Sequence, residues 1–211
     1  MGVHRRKHKK SATAGGGAGT AGEMVPLRII GGLLGGRKLA YSGLDRTRPM
    51  KDRVREAVFN LVGPAVKGTH AIDLFAGTGA LGLEAISRGA ARATFIEQHF
   101  PSARLIEQNA AALGVADRCE VVPGDAFAWV QRREELSPGP WVVFCSPPYV
   151  FYVERAEAMI AMLGDLAARA PQGSILVTEA DSRFDFSTLI EPDRWNIRSY
   201  PPAVIGILRK N

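Results

Sequence analysis

The stretch Ala71-Ile72-Asp73-Leu74-Phe75-Ala76-Gly77-Thr78-Gly79-Ala80-Leu81-Gly82 constrains this chain more than any other. An apolar run carrying one acid ends at a turn of small residues, and a helical pattern from Ala80 to Arg88 begins at once. Strand, tight glycine turn and helix, in that order, form the ligand-facing corner of a nucleotide-binding α/β unit. The amides that open such a helix point into the space beyond the turn. Gly77, Gly79 and Gly82 satisfy G-x-G-x-x-G, the spacing of a dinucleotide site. Asp73 argues for another ligand. Four residues ahead of the turn, it falls near the strand's carboxyl end, where a carboxylate suits a cation better than a pyrophosphate.

From this corner onward the chain alternates. Strands are expected over Ala93 to Glu97, Glu120 to Val122, Trp141 to Cys145 and Ser174 to Glu179. Helices are expected over Pro101 to Leu113, Ala126 to Arg133 and Val153 to Ala170. The last two strands, Trp195 to Tyr200 and Val204 to Arg209, have no helix between them and must be antiparallel, because a parallel crossover needs a dozen or more residues. This order predicts a mostly parallel seven-stranded sheet covered on both faces, with an antiparallel C-terminal strand pair. No stretch approaches the ~20 apolar residues that span a bilayer. Cys119 and Cys145 form no paired motif, which fits a reducing cytoplasm. The four histidines show no metal-ligand spacing, so no metal is expected.

Charge is needed to read what comes before the corner. The net charge is +6, yet residues 56–211 carry fourteen basic and eighteen acidic residues. The excess sits upstream. Residues 1–24 hold five Lys or Arg and one acid, in a Gly- and Ala-rich tail that should be disordered. That tail reads equally as an RNA-contacting arm or as a start extension. Residues 28–55 hold eight basic residues and two acids. Leu27 to Tyr41 reads as a hairpin around Gly35-Gly36 that carries Arg28, Arg37 and Lys38. Arg48 and Pro49 then lead into an amphipathic helix from Lys51 to Val62, with Val54, Ala57, Val58 and Leu61 at helical spacing. Lys51, Arg53 and Arg55 crowd its first turns, against the helix macrodipole. An anion must compensate them, and RNA phosphate would serve. The chain therefore divides into a tail (1–24), a basic hairpin and helix (25–64) and a ligand-binding α/β region (65–211).

In open α/β sheets ligands sit beyond the carboxyl ends of the strands. Asp73, Glu97, Asp125 and Ser146 all fall there. Glu97, about twenty residues beyond the glycines, is placed for ribose hydroxyls. Asp125 can accept from an adenine amino group, with the Ala126 amide nearby. Ser146-Pro147-Pro148-Tyr149 is the second strong motif. Two prolines fix the backbone, the Ser146 side chain and the Pro147 carbonyl can accept from an amine, and the Tyr149 ring can stack on a flat base.

Asp73 to Gly79 resembles motif I of the class I S-adenosyl-L-methionine methyltransferases. From Leu27 onward the chain resembles the RsmD family of 16S rRNA (guanine-N2)-methyltransferases, whose target is the guanine called 966. Arg28-Ile29-Ile30-Gly31-Gly32, Gly36-Arg37-Lys38-Leu39, Asp52-Arg53-Val54-Arg55-Glu56 and Asp73 through Ala85 carry the likeness. The resemblance implies a Rossmann-like methyltransferase fold with a small N-terminal β-hairpin and helix extension. It implies S-adenosyl-L-methionine held by Asp73, Phe75, Ala76, Gly77, Thr78, Gly79, Glu97, Gln98, Asp125 and Ala126. It implies a target base held by Ser146, Pro147, Pro148 and Tyr149. RNA would dock on Arg28, Arg37, Lys38, Arg48, Lys51, Arg53 and Arg55. The partner would be 16S rRNA in the assembling small subunit, met by a monomer in the cytoplasm. The family usually has Asp where this chain has Ser146. Serine is shorter and neutral, and offers less negative potential to a developing ammonium. That substitution leaves open an amino-methyltransferase acting on cytosine N4 or adenine N6, and an inactive rRNA-binding assembly factor.

Overall fold

A computed structural model of the chain describes residues 1–2, 27–41, 49–132 and 136–211. The tail reading for residues 3–24 and the assignment of Arg48 lie outside the described residues.

Seven strands form one sheet in the order β3-β2-β1-β4-β5-β7-β6. They are β1 (His70–Asp73), β2 (Arg92–Glu97), β3 (Cys119–Pro123), β4 (Trp141–Cys145), β5 (Ile175–Asp181), β6 (Asn196–Tyr200) and β7 (Ala203–Arg209). The first five run parallel, and β7 runs antiparallel to both β5 and β6. The expected sheet is therefore observed, Rossmann-like with its antiparallel pair. β1 and β4 are buried at every position, as central parallel strands with helices on both faces must be. Alternate residues feed two cores. Ala71, Phe95 and Phe144 point to one, and Ile72, Ile96 and Val143 to the other. α1 (Asp52–Val62), α2 (Ala80–Ser87) and α3 (Phe100–Ala112) cover the first face. α4 (Ala126–Arg132), α5 (Phe151–Glu154) and α6 (Ala156–Arg169) cover the second. Among the described residues, no helix is long and apolar enough to cross a membrane.

The N-terminal hairpin packs into this core instead of standing apart from it. Arg28 and Lys38 pair across it, and Leu27, Ile29 and Leu39 share a core with α1, α2 and the sheet. Its tip is fixed by Gly32, which has a φ of 78° and lies so close to α2 that a Cβ would meet the Ser87 carbonyl oxygen at 2.1 Å. The backbone amides of Ile30 and Gly31 donate to the buried carboxylate of Glu84, each at 2.7 Å. α1 presents Phe59 to Phe144 of β4, with ring centroids 5.5 Å apart. Truncating such a buried ring costs about 3–5 kcal/mol.

One expected element is broken. The helix read over Val153 to Ala170 is two helices, α5 and α6, interrupted at Arg155. Arg155 leaves helical geometry (φ −130°, ψ 30°) and lays its guanidinium 3.9 Å from the centre of the Phe127 ring and 3.8 Å from Asp125 Oδ2.

Candidate active site

The strand order reverses direction between β1 and β4, because β1 leads outward to β2 on one side while β4 leads to β5 on the other. A cleft of about 690 Å³ opens at this switch point, at the carboxyl ends of the strands. One half is built by the loops after β1, β2 and β3, and the other by the loop after β4 and the end of β5.

In the first half, Phe75, Ala76, Gly77 and Thr78 line the cleft after β1, and Glu97, Gln98, Asp125 and Ala126 line it after β2 and β3. Gly79 adopts φ 74° as the cap of α2 and turns the chain sharply into that helix. A side chain there would be strained by that φ and would press on Ile106 at 3.0 Å. Glu97 is nearly buried and holds the loop shut. Its Oε2 accepts from the Gly77 amide at 2.6 Å and its Oε1 from the His99 amide at 2.7 Å. Each oxygen keeps a second lone pair, so ribose hydroxyls can still be accepted. Asp125 caps α4 through the Ala128 amide at 2.9 Å. Phe75 meets Phe127 and Phe151 edge to face and those two rings are tilted against each other, with ring centroids 5.9–6.2 Å apart.

Asp73 and Gly79 stand behind the cleft wall. Asp73 is buried, and its Oδ2 accepts from the Gly82 amide at 3.1 Å while its Oδ1 has no partner. Burial, aided by the charge of Glu97 and opposed by the Gly82 hydrogen bond, raises its carboxyl from the ordinary range to about 7. A buried, unpartnered carboxylate oxygen under a glycine loop has a deficit of positive charge that a cationic ligand would fill. With Glu97 for a ribose and a flat aromatic pocket beside Asp125, the residues fit S-adenosyl-L-methionine.

In the second half, Ser146, Pro147, Pro148 and Tyr149 follow β4 and line the cleft. Facing them is Glu179 of β5, which sequence reasoning passed over. Ser146 Oγ donates to Glu179 Oε2 in a short hydrogen bond, and the Tyr149 hydroxyl donates to Oε1 at 2.7 Å. Burial, the hydrogen bond to Glu179 and its charge raise the Tyr149 hydroxyl above its ordinary range, so Tyr149 stays a neutral donor. The signal was present in the sequence. Glu179 closes the strand expected from the sequence, as Glu97 does; in the structure β5 runs on to Asp181, and Glu179 stands one position beyond the pair Cys145 and Thr178 that β4 and β5 bring side by side. Pro49, Met50 and Lys51 from the entry to α1 and Pro202 from the β6–β7 turn complete the walls.

The sequence-read RNA contacts separate into two groups. Arg28, Arg37, Lys38, Lys51 and Arg53 are exposed. Arg55 is not available to a phosphate. It is fully buried, donates to the Arg28 carbonyl at 2.6 Å and to Asp52 at 3.0 Å, and lies 3.9 Å from buried Glu84. The reading of Arg55 as an RNA contact is corrected accordingly: it pins the hairpin and α1 to α2. Asp52, in the first turn of α1, also pairs with Arg28 at 3.3 Å. Part of the positive charge at that helix start is thus compensated within the protein.

The sequence profile described as Conserved hypothetical protein 95 matches residues 27–198. The chain belongs to this family, the RsmD family of class I methyltransferases. It is 41% identical over 171 residues to the protein named Ribosomal RNA small subunit methyltransferase D of Escherichia coli strain K12, covering 81% of this chain and 82% of that one. The solved structure of the Escherichia coli protein yhhF superposes with a TM-score of 0.70 at 32% identity, covering 87% of this chain and 97% of that chain. An RNA methyltransferase from Salinibacter ruber, solved with S-adenosyl-L-homocysteine, shares the fold with a TM-score of 0.55 at 20% identity, covering 77% of this chain and 94% of that chain. The RsmD-type match begins at Leu27 and so includes the basic hairpin as well as the cleft.

Proposed function

We propose that the chain transfers the methyl group of S-adenosyl-L-methionine to the exocyclic N2 amine of a guanine in small-subunit rRNA, at the position called 966. The observation that carries this reading is that one cleft holds both halves of such a reaction. Glu97, Asp125 and the glycine loop face a nucleoside-bearing cation on one side. A proline-stiffened turn with hydroxyl and carbonyl acceptors faces a flat amine on the other. The amine's lone pair is delocalised into its ring, so positioning is the main lever, because the sulfonium methyl is already activated. Ser146 and the Pro147 carbonyl can accept the amine's N–H groups and aim its lone pair. The target base must leave its stack to reach them.

The exposed Arg28, Arg37, Lys38, Lys51 and Arg53 support docking on a phosphate backbone, and Arg48 belongs to the same proposal. The partner is 16S rRNA in the assembling small subunit, and the protein acts as a cytoplasmic monomer. Nucleoside mass spectrometry of small-subunit RNA from a strain lacking the gene tests the reaction. N2-methylguanosine should fall and return on complementation, with primer extension locating the site. Unchanged N2-methylguanosine refutes the reading. Loss of N4-methylcytosine or N6-methyladenine instead would reassign the base.

A further inference from the structure

We propose that Glu179 is a positioning residue for the target amine, acting through Ser146 and supplying the negative charge that serine itself lacks. The inference rests on the amine-methylation reading given above.

The geometry comes from strand register. β4 and β5 run parallel with Cys145 beside Thr178, so the residues that follow, Ser146 and Glu179, meet at the cleft. The Ser146 hydroxyl hydrogen points to Glu179 Oε2. A free serine hydroxyl can rotate, donating as readily as it accepts. Here its only proton is committed, which leaves its lone pairs to receive an N–H. Tyr149 spends its proton on the other carboxylate oxygen, and this fixes the ring that would lie against the base. Glu179 is 8% exposed, and among the described residues no lysine or arginine forms an ion pair with it. A carboxylate serving only as one residue of a strand would ordinarily be paired with a cation or left in water. This one is held close to the cleft by two hydroxyl donors, both from the proline turn.

The step balances without another reactant. The amine nitrogen's lone pair forms the new N–CH3 bond, and the C–S bond breaks with its electron pair passing to sulfur. The nitrogen, now positively charged, gives one proton to Ser146 Oγ as the Ser146 proton moves to Glu179. The carboxylic acid so formed then releases that proton to water.

The test compares Glu179→Gln, Glu179→Ala, Ser146→Asp and the double variant S146D/E179Q. It measures single-turnover methyl transfer to small subunits from a strain lacking the gene, S-adenosylhomocysteine affinity by calorimetry, and thermal unfolding. Glu179→Gln keeps shape and removes charge, so its rate should fall about a hundredfold while S-adenosylhomocysteine affinity and folding stay near wild type. Formate added to Glu179→Ala should restore part of the rate. S146D/E179Q should recover at least about tenfold over Glu179→Gln, because the carboxylate then stands directly beside the amine. Ser146→Asp alone should be slow, since two carboxylates would face each other. A Glu179→Gln rate within about twofold of wild type overturns the inference. So does a folded S146D/E179Q that is no faster than Glu179→Gln. Absence of transfer by the wild-type protein overturns the rRNA reading instead, and this inference with it.

Discussion

Raising the pH from 6 to 8 should tighten S-adenosyl-L-methionine binding by about tenfold. The perturbed group is Asp73, whose carboxyl is raised to about 7 in the ligand-free fold. Burial is the main cause, and one of its two oxygens has no hydrogen-bond partner. A group titrating there is about one-tenth ionised at pH 6 and about nine-tenths ionised at pH 8. A ligand bearing a sulfonium and an ammonium favours the ionised form, so binding should draw the carboxyl back toward the ordinary range. Affinity then follows the fraction of Asp73 already ionised, and at pH 7 about half a proton leaves on binding. The sign for stability is opposite. The folded carboxyl lies above its unfolded value, so the ligand-free protein loses stability as pH rises from about 4 to about 7, by at most about 4 kcal/mol, and changes little above that. Calorimetric titrations at pH 7 in two buffers of different ionisation enthalpy give the proton count directly. Titrations from pH 6 to 8 give the slope. Asp73→Asn should abolish both. A wild-type affinity that is flat over this range, with no proton released, would refute the argument.

Three further outcomes follow from single features. Ser146→Ala should lower turnover about tenfold or more with S-adenosylhomocysteine affinity unchanged, as measured by tritiated-methyl transfer and calorimetry; an unaltered rate would remove Ser146 from the chemistry. Arg55→Ala removes the buried donor to the Arg28 carbonyl and Asp52 and the farther of the two cations beside Glu84, leaving Arg88 at 2.8 Å, and opens the seam between hairpin, α1 and α2, so urea denaturation should show a loss of about 2–3 kcal/mol. Arg37→Glu combined with Lys38→Glu should weaken binding to small-subunit RNA and reduce the salt dependence of log affinity by about two, with folding and cofactor affinity preserved.

The sheet was legible because its signals are local. Apolar runs ending in acids, glycine turns and the missing helix before the last strand all lie within short windows of sequence, and they predicted a mostly parallel sheet with an antiparallel end; the order of its strands was not among those predictions. Arg55 was misread for the opposite reason. In sequence it is one more cation in a basic block, and only folding brings Glu84, in a different helix, within 3.9 Å of it. The macrodipole argument at α1 passed over a local anion: Asp52, next to Lys51 in the chain, pairs with Arg28 and Arg55 and compensates part of the charge there. The break at Arg155 brings its guanidinium against Phe127 and Asp125, residues that precede β4 and α5 in the chain, and no local pattern shows that contact. Glu179 differs from these cases. Its position at the end of the expected strand was readable by the rule that singled out Glu97, but its meaning needed the β4–β5 register, which no local pattern supplies.

Charge placement explains why the two halves of the cleft differ. Methyl transfer begins with positive charge on sulfur and leaves positive charge on nitrogen. The protein must therefore favour a cation at the start without trapping it there. Asp73, Glu97 and Asp125 provide negative potential on the first side, yet two of them are partly spent: Glu97 holds two backbone amides and Asp125 caps α4. On the second side a single carboxylate, Glu179, is screened by the hydroxyls of Ser146 and Tyr149 until the amine begins to acquire charge. Fixed groups aimed at charge that develops late contribute to rate more than to substrate affinity. A neutral serine backed by a carboxylate thus meets the same electrostatic need as an aspartate in that position, and does so without placing a bare anion against an RNA substrate.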